Sequence, residues 1–223
     1  MDFSFLSETD LFHGIEPGEI ERMMTCLKAS TREVPRDGVI HRAGDVVGTM
    51  GMVLSGSVSI ENDDVWGNRS ILDHVGPGQV FAENYACIPG SPLIVNIVAA
   101  EASRVLFMDS ERMFTVCSGA CSCHNRLVWN MLRISAQRNL NLARRILHTS
   151  AKTIRGRLLS YLSYQAKLNG GNEFDIPFDR QQLADYLSVD RSAMSSELSK
   201  MQRDGLLRVR RSHFVLLGIE AVP

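Results

Sequence analysis

Arg191, Ser192, Ser195, Ser196 and Lys200 lie between Met194, Leu198 and Met201, so that short polar and basic groups share a stretch with an apolar stripe at helical spacing. Side chains of this size reach base edges and phosphates without forming a like-charged block. Ahead of them, Leu183, Ala184 and Leu187 repeat the helical spacing behind Asp179, with Arg180 and Gln181 at the start of that turn of chain. Ser188-Val189 interrupts the pattern, and Asp190 restarts it. Both aspartates suit an N-cap. Behind the second helix, Gly205 punctuates, and Leu206–Arg210 and His213–Leu217 alternate as two strands joined at Arg211-Ser212. Arg208, Arg210 and Arg211 cluster basic groups on this strand pair. The two helices alone fit an ordinary core hairpin equally well. With the strand pair they predict a winged helix-turn-helix.

A second cluster is Cys117, Cys121, Cys123 and His124. Three thiols and an imidazole within eight residues are ligands for zinc or an iron–sulfur cluster, or the parts of a redox switch. The C-x3-C-x-C-H spacing is not a usual zinc framework, and free Cys is a favoured small buried residue, so packing is the preferred reading and no metal is expected. With Cys26 and Cys87 the count is five, and an odd count without a secretion signal points to reduced thiols.

The elements that must position these groups change character along 223 residues. Residues 7–29 suggest a capped helix pair, with Ser7-Glu8-Thr9-Asp10 ahead of Leu11-Phe12 and Pro17 opening the second helix. From Arg32 to Asp109, short β-rich runs are separated by Gly, Pro and Asp/Asn breaks, as in an antiparallel sandwich or roll. A short helix is expected over Ser110–Val116 and a long one from about Ser122 to Thr149. On the long helix Trp129, Leu132, Ala136, Leu140, Ala143 and Leu147 form a coiled-coil-like stripe, while Leu127, Met131 and Ile134 lie on another side. A helix apolar on two sides must bury both, one against the roll and the other against a second copy of itself. His148-Thr149-Ser150 reads as a hinge, and Ile154–Leu168 opens the last domain. Basic character collects there: residues 150–223 carry a net charge of +3 and residues 1–149 a net of −4. No apolar run is long enough to span a bilayer and the N-terminus is acidic, so a cytoplasmic protein with no membrane partner is expected.

This order of parts resembles the Crp/Fnr family of bacterial regulators. The carriers are Leu11-Phe12, Arg42-Ala43-Gly44-Asp45, Val53-Leu54-Ser55-Gly56-Ser57-Val58, Gly78-Gln79-Val80-Phe81-Ala82-Glu83, the long helix, Arg180-Gln181-Gln182-Leu183-Ala184-Asp185-Tyr186-Leu187 and Val189-Asp190-Arg191-Ser192. The resemblance implies an α+β chain: an N-terminal double-stranded β-helix (a jelly roll of cyclic-nucleotide-binding type), a dimerisation helix and a C-terminal winged helix-turn-helix. The corresponding ranges are 1–120, 121–150 and 151–223. It implies a homodimeric, non-enzymatic transcription regulator on palindromic double-stranded DNA, with RNA polymerase as second partner and a small effector held between roll and helix. Arg180 would be a backbone anchor. Arg191, Ser192, Ser195 and Ser196 would face bases, although family members often carry Glu in place of Ser192 and Arg in place of Ser196. Arg191 is then either a base or a phosphate contact.

Cyclic-nucleotide members hold ribose and cyclic phosphate with a Gly-Glu and an Arg-Ser pair. Here the first is Ala82-Glu83, and Gly90-Ser91-Pro92-Leu93 replaces the second. No Lys or Arg occurs between Arg69 and Arg104, so a phosphate buried there is uncompensated, and an effector other than cAMP is expected. Glu83, Asn84, Tyr85, Trp129 and Arg133 are the candidate effector residues. A regulator sensing metal or redox state through the cysteine cluster is one alternative. A cupin-like metal-dependent enzyme is a remote one, because His41 and His74 are far apart in sequence and no His-x-His occurs.

Overall fold

The computed structural model describes residues 1–64, 66, 69–114 and 122–218, and its contacts divide the chain into two compact units, Met1–Ala136 and Gln137–Pro223. The first opens with α1 (Phe3–Glu8) and α2 (Pro17–Cys26). The helix pair is real, but its first member lies earlier than expected. Asp2 caps α1, accepting from the backbone of Ser4 and Phe5, and the segment expected to start a helix ends one. The Thr9 hydroxyl turns back onto the Leu6 carbonyl at 2.7 Å, which is the competition that small hydroxyl residues offer to helical hydrogen bonding.

The strands are β1 (Ser30–Val34), β2 (Val39–His41), β3 (Thr49–Ser55), β4 (Val58–Asp63), β5 (Arg69–Val75), β6 (Val80–Phe81), β7 (Asn96–Ala99) and β8 (Ser103–Asp109), with the short α3 (Glu83–Ala86) between β6 and β7. They form two antiparallel four-stranded sheets, ordered β1-β8-β3-β6 and β2-β7-β4-β5. Between the sheets lies a core of Val34, Ile40, Val53, Val58, Phe81, Ile97 and Val105. The outer face of the first sheet presents Met50, Met52, Leu106 and Met108 to Leu11, Phe12 and Ile20 of the N-terminal segment and to Leu127 and Met131. β3 is therefore covered on both faces and reads as an almost unbroken apolar run. Gly51 within it is a close-approach glycine, since a Cβ there would overlap the Phe81 ring.

After α4 (Ser110–Phe114), the long helix α5 (Ser122–Thr149) runs from the first unit into the second. Leu127 and Met131 are buried on the first unit, and the Asn130 amide donates to the carbonyls of Leu11 and His13, both at 2.9 Å. The other stripe faces outward: Trp129, Leu132, Leu140 and Leu147 are 69%, 56%, 53% and 61% exposed.

The second unit contains the remainder of α5, α6 (Ile154–Asn169), β9 (Glu173–Asp175), α7 (Arg180–Leu187), α8 (Arg191–Arg203), β10 (Leu207–Arg210) and β11 (His213–Leu216). Its sheet runs β10-β11-β9, antiparallel throughout. Leu158, Tyr161 and Leu162 of α6 join Leu183, Ala184, Leu187, Met194, Leu198, Met201 and Phe214 in one core. Each fully buried leucine contributes about 1.5–3 kcal/mol, and Ala184 is itself fully buried in this core.

Candidate nucleic-acid interface

The α7–α8 pair is set by its ends. Asp179 accepts from the Gln182 backbone at 2.8 Å while the Gln182 side chain accepts from the Asp179 backbone at 2.9 Å, a reciprocal capping box. Ser188, left-handed at φ 53°, ends α7. Asp190 caps α8 through the Ala193 backbone at 2.8 Å and also accepts the Ser192 hydroxyl at 2.5 Å. Those bonds, the one from Ser192 first, hold its carboxyl below the usual range. A rigid cap fixes where the first turn of α8 points.

Arg180, Arg191 and Arg211, from α7, α8 and the wing turn, line one cleft of about 770 Å³ with Pro177, Asp179 and Ser212. Arg180 is half-buried, its guanidinium 5.5 Å from the Phe214 ring centre, and its Nη1 is buried with no hydrogen-bond partner among the described residues. Burial lowers its pKa. A guanidinium stripped of water and left with an unpartnered N–H gains more from an anion than a solvated one does. Arg208 and Arg210 extend the basic surface along β10, both exposed.

The remaining expected contacts divide. Ser196 is exposed on α8. Lys200 lies 3.7 Å from Glu197. Ser192 is tied to Asp190, and the Ser195 hydroxyl donates to the Arg191 carbonyl at 2.9 Å, so each must exchange a local bond to donate to a base but can accept from one as it stands. The Gln181 amide donates to Asp185 at 2.9 Å. What the sequence reading missed are braces from distant segments. Arg155 of α6 bridges Glu197 at 2.6 Å and Asp204 at 2.8 Å, and Arg145 and Arg157 reach the carbonyl end of α7. No local pattern announces them.

In the first unit, Glu83 is buried at the start of α3, Asn84 is exposed, and Tyr85 packs against the roll core. Ala82 sits at φ 59°, a left-handed conformation better suited to glycine. Trp129 is exposed on α5 and Arg133 lies 3.8 Å from Asp10. Of the cysteine cluster, Cys117 and Cys121 lie outside the described residues. Cys123 is half-buried and bonded to the Glu19 carboxylate, whose pKa that bond lowers, and His124 is buried. Among the described residues no three His, Cys, Asp or Glu side chains are grouped to hold a metal ion, and no helix is long and apolar enough to cross a membrane.

Residues 31–119 match the cyclic nucleotide-binding domain family and residues 156–222 the Crp-like helix-turn-helix domain family. The chain is 27% identical over 218 residues to the CRP-like protein Clp of Xanthomonas campestris pv. campestris, covering 92% of this chain and 90% of that one. Among solved structures, that of CLP from Xanthomonas campestris, described as a c-di-GMP responsive global regulator, superposes with a TM-score of 0.55 at 23% identity, covering 92% of this chain and all of the other. The catabolite activator protein of Thermus thermophilus gives 0.51 at 20% identity, with 93% of each chain covered. Both structures share the fold.

Proposed function

The chain belongs to the Crp/Fnr family of DNA-binding transcription regulators, and from that premise we propose that its second unit docks on duplex DNA with α8 in the major groove and the cleft between α7 and the wing on a phosphate. The observation that carries the reading is the convergence of Arg180, Arg191 and Arg211 on one cleft, with an unpartnered Arg180 N–H beside it. Arg191, Ser196 and Lys200 face the bases, joined by Ser192, Ser195 and Gln181 through the acceptor and donor capacity their local bonds leave. Arg210 and Arg211 neutralise phosphates. Two copies joined along the exposed stripe of α5 would read a palindromic site, half-sites about one duplex turn (~34 Å) apart. We assign 1–120 to an effector-binding roll, 121–150 to the dimerisation helix and 151–223 to the DNA-binding domain. RNA polymerase is the second macromolecular partner, and the protein works in the cytoplasm.

For the effector, Glu83, Asn84 and Tyr85 with Trp129 and Arg133 are the proposed contacts. The absence of Lys and Arg between positions 69 and 104 disfavours cAMP held within the local cassette. The response of CLP to c-di-GMP makes that dinucleotide the first compound to add. Titrating a duplex enriched from a random pool, at several salt concentrations, tests the DNA reading. Affinity should fall steeply with salt, and Arg180→Ala should reduce the log–log slope by about 0.9, one phosphate's worth. Salt-independent binding, or an Arg180→Ala protein with wild-type affinity and slope, would sink it.

A further inference from the structure

We propose that Arg145 and the His148–Tyr186 pair are positioning residues that clamp the last turns of α5 to the carbonyl end of α7, and so set the angle at which α8 meets DNA. The inference rests on the reading that this unit binds duplex DNA, and it adds to that reading how the bound geometry is held.

An eight-residue helix such as α7 leaves its last carbonyls in need of partners. The backbone closes two of them. The Val189 N–H donates to Ala184 O at 3.0 Å and the Ser188 N–H to Asp185 O at 3.2 Å, with Ser188 in the left-handed conformation that this closure requires. Two arginines from other helices supply the rest. Arg145 of α5 donates Nε to Tyr186 O at 3.2 Å and Nη2 to Asp185 O at 3.1 Å. Arg157 of α6 donates Nη1 to Leu187 O at 3.0 Å and to Ser188 O at 2.8 Å, while its Nε holds Ala151 O at 3.0 Å. Two cations at the negative end of one helix are electrostatically matched to it. Arg157 secures α7 to α6 and to the connection before it. Arg145 is the arm that comes from α5.

One turn further along α5, His148 completes the clamp. It is almost wholly buried, its Nδ1 lies 2.9 Å from the Tyr186 hydroxyl, and its ring packs edge-on against Tyr161 and tilted against Tyr164 and Tyr186. Tyr186 is thus gripped at both its backbone and its hydroxyl by side chains of α5, with the Arg145 guanidinium 5.9 Å from its ring centre. Any displacement of the last turns of α5 is transmitted to α7, and through the shared α7–α8 core to the recognition surface. The Nε and Nη2 donors of Arg145 are already taken by carbonyls, which separates its role from that of Arg180 or Arg211.

The test uses the full chain and two duplexes, one enriched from a random pool and one of random sequence. Affinities are measured across a salt series for wild type, Arg145→Met, Arg145→Lys and Tyr186→Phe. Arg145→Met and Tyr186→Phe should each weaken the enriched duplex on the order of tenfold, the weight of one misaligned base contact. They should leave the salt slope unchanged and random-duplex binding within about twofold of wild type, since non-specific affinity is carried by phosphates. Arg145→Lys should recover part of the loss. If Arg145→Met does not fold, Tyr186→Phe carries the same comparison. A salt slope flattened by about 0.9 would make Arg145 a phosphate contact and overturn the clamp. Unchanged affinity for the enriched duplex overturns it too, as does an equal loss on both duplexes together with a lower unfolding temperature. A wild-type protein that enriches no duplex and shows no salt-dependent binding instead removes the DNA reading beneath it.

Discussion

Arg211 holds a backbone conformation, φ 56°, that glycine or asparagine adopts at less cost, and it does so at the tip of a two-residue hairpin turn where those residues are favoured. For an L-residue the left-handed region costs about 1–2 kcal/mol, so an arginine there trades stability for what its side chain reaches, here the cleft shared with Arg180 and Arg191. Arg211→Gly should therefore separate two measurements. Thermal unfolding should be unchanged or raised by up to about 1 kcal/mol, while duplex affinity falls with a salt slope about 0.9 shallower. Loss of stability with unchanged affinity would mean that the residue serves the turn alone. His148 gives a second residue-scale test, in pH. Burial first, and Arg144 next, hold its pKa below the ordinary histidine value. The facing groups are Arg144 and Arg145 on its own helix, Tyr161 and Tyr164 on α6, and Tyr186 on α7. The unfolded chain takes up a proton near pH 6.5 and the folded chain only below that, so the unfolded state binds more protons in between. The contribution is fully present above about pH 6.5 and is lost as pH falls through the folded value. His213, raised by its bond to Asp175 and then by that to Glu173, works the other way: its contribution is present below about pH 6.5 and is lost as pH rises through its folded value. Denaturant unfolding of wild type and His148→Phe from pH 5 to 8 should show an acid-side loss in wild type that the variant lacks. Parallel profiles would remove His148 as its source.

At the scale of elements, α8 is held from behind as well as from its cap. Arg155 spans Glu197, in the middle of the helix, and Asp204, at its end, so the helix cannot roll about its axis without breaking a charge-assisted bond. Arg155→Met keeps the aliphatic stem and leaves Glu197, whose side chain is only 18% exposed, with Lys200 at 3.7 Å in place of a 2.6 Å bond. Stability should fall, and more at low than at high salt, as denaturant titrations at two ionic strengths would show. A salt-independent loss would indicate lost packing instead. These braces also mark the limit of what could be read before folding. Both ends of α7 and the start of α8 were legible because Asp179, Asp190 and the Ser188-Val189 break act within four residues of themselves. The wing was legible from alternation across Arg211-Ser212, and the two faces of α5 from spacing alone. Arg145, Arg155 and Arg157 were not, because each acts over 30 or more residues of sequence and nothing near them specifies the partner. The engagement of Ser192 with Asp190 was hidden for a different reason: a serine two residues after a cap has the same identity whether it points to the cap or to a base. α1 was misplaced because Ser7 and Thr9 have the composition of a start signal and here bond backward.

The whole molecule poses a problem that a single chain leaves unsolved. α5 buries Leu127 and Met131 on the first unit, yet along the rest of its length Leu132, Leu140 and Leu147 remain more than half exposed, with Trp129 at 69%. Scattered exposed leucines are unremarkable, but a stripe repeating every three or four residues along one helix has the spacing of a coiled-coil seam. In the proposed dimer, α5 pairs with a second copy of itself, which covers the stripe and gives each dimer two winged helices. The functional consequence follows from effective concentration. Once one half-site is bound, the second binding step is intramolecular, and overall affinity exceeds that of a single unit by about 10²–10⁴. Leu140→Lys places a charge opposite its own copy in that seam while leaving the α7–α8 core and the arginine cleft untouched. Sedimentation should show wild type at twice the chain mass and the variant shifted to the monomer. Affinity of the variant for an enriched palindrome should drop toward that for an isolated half-site, while half-site affinity itself stays within about twofold of wild type, because the phosphate and base contacts of one unit are intact. A wild-type protein that sediments as a monomer would overturn the pairing, and a variant that loses half-site binding equally would show that the stripe supports the fold of one chain rather than the union of two.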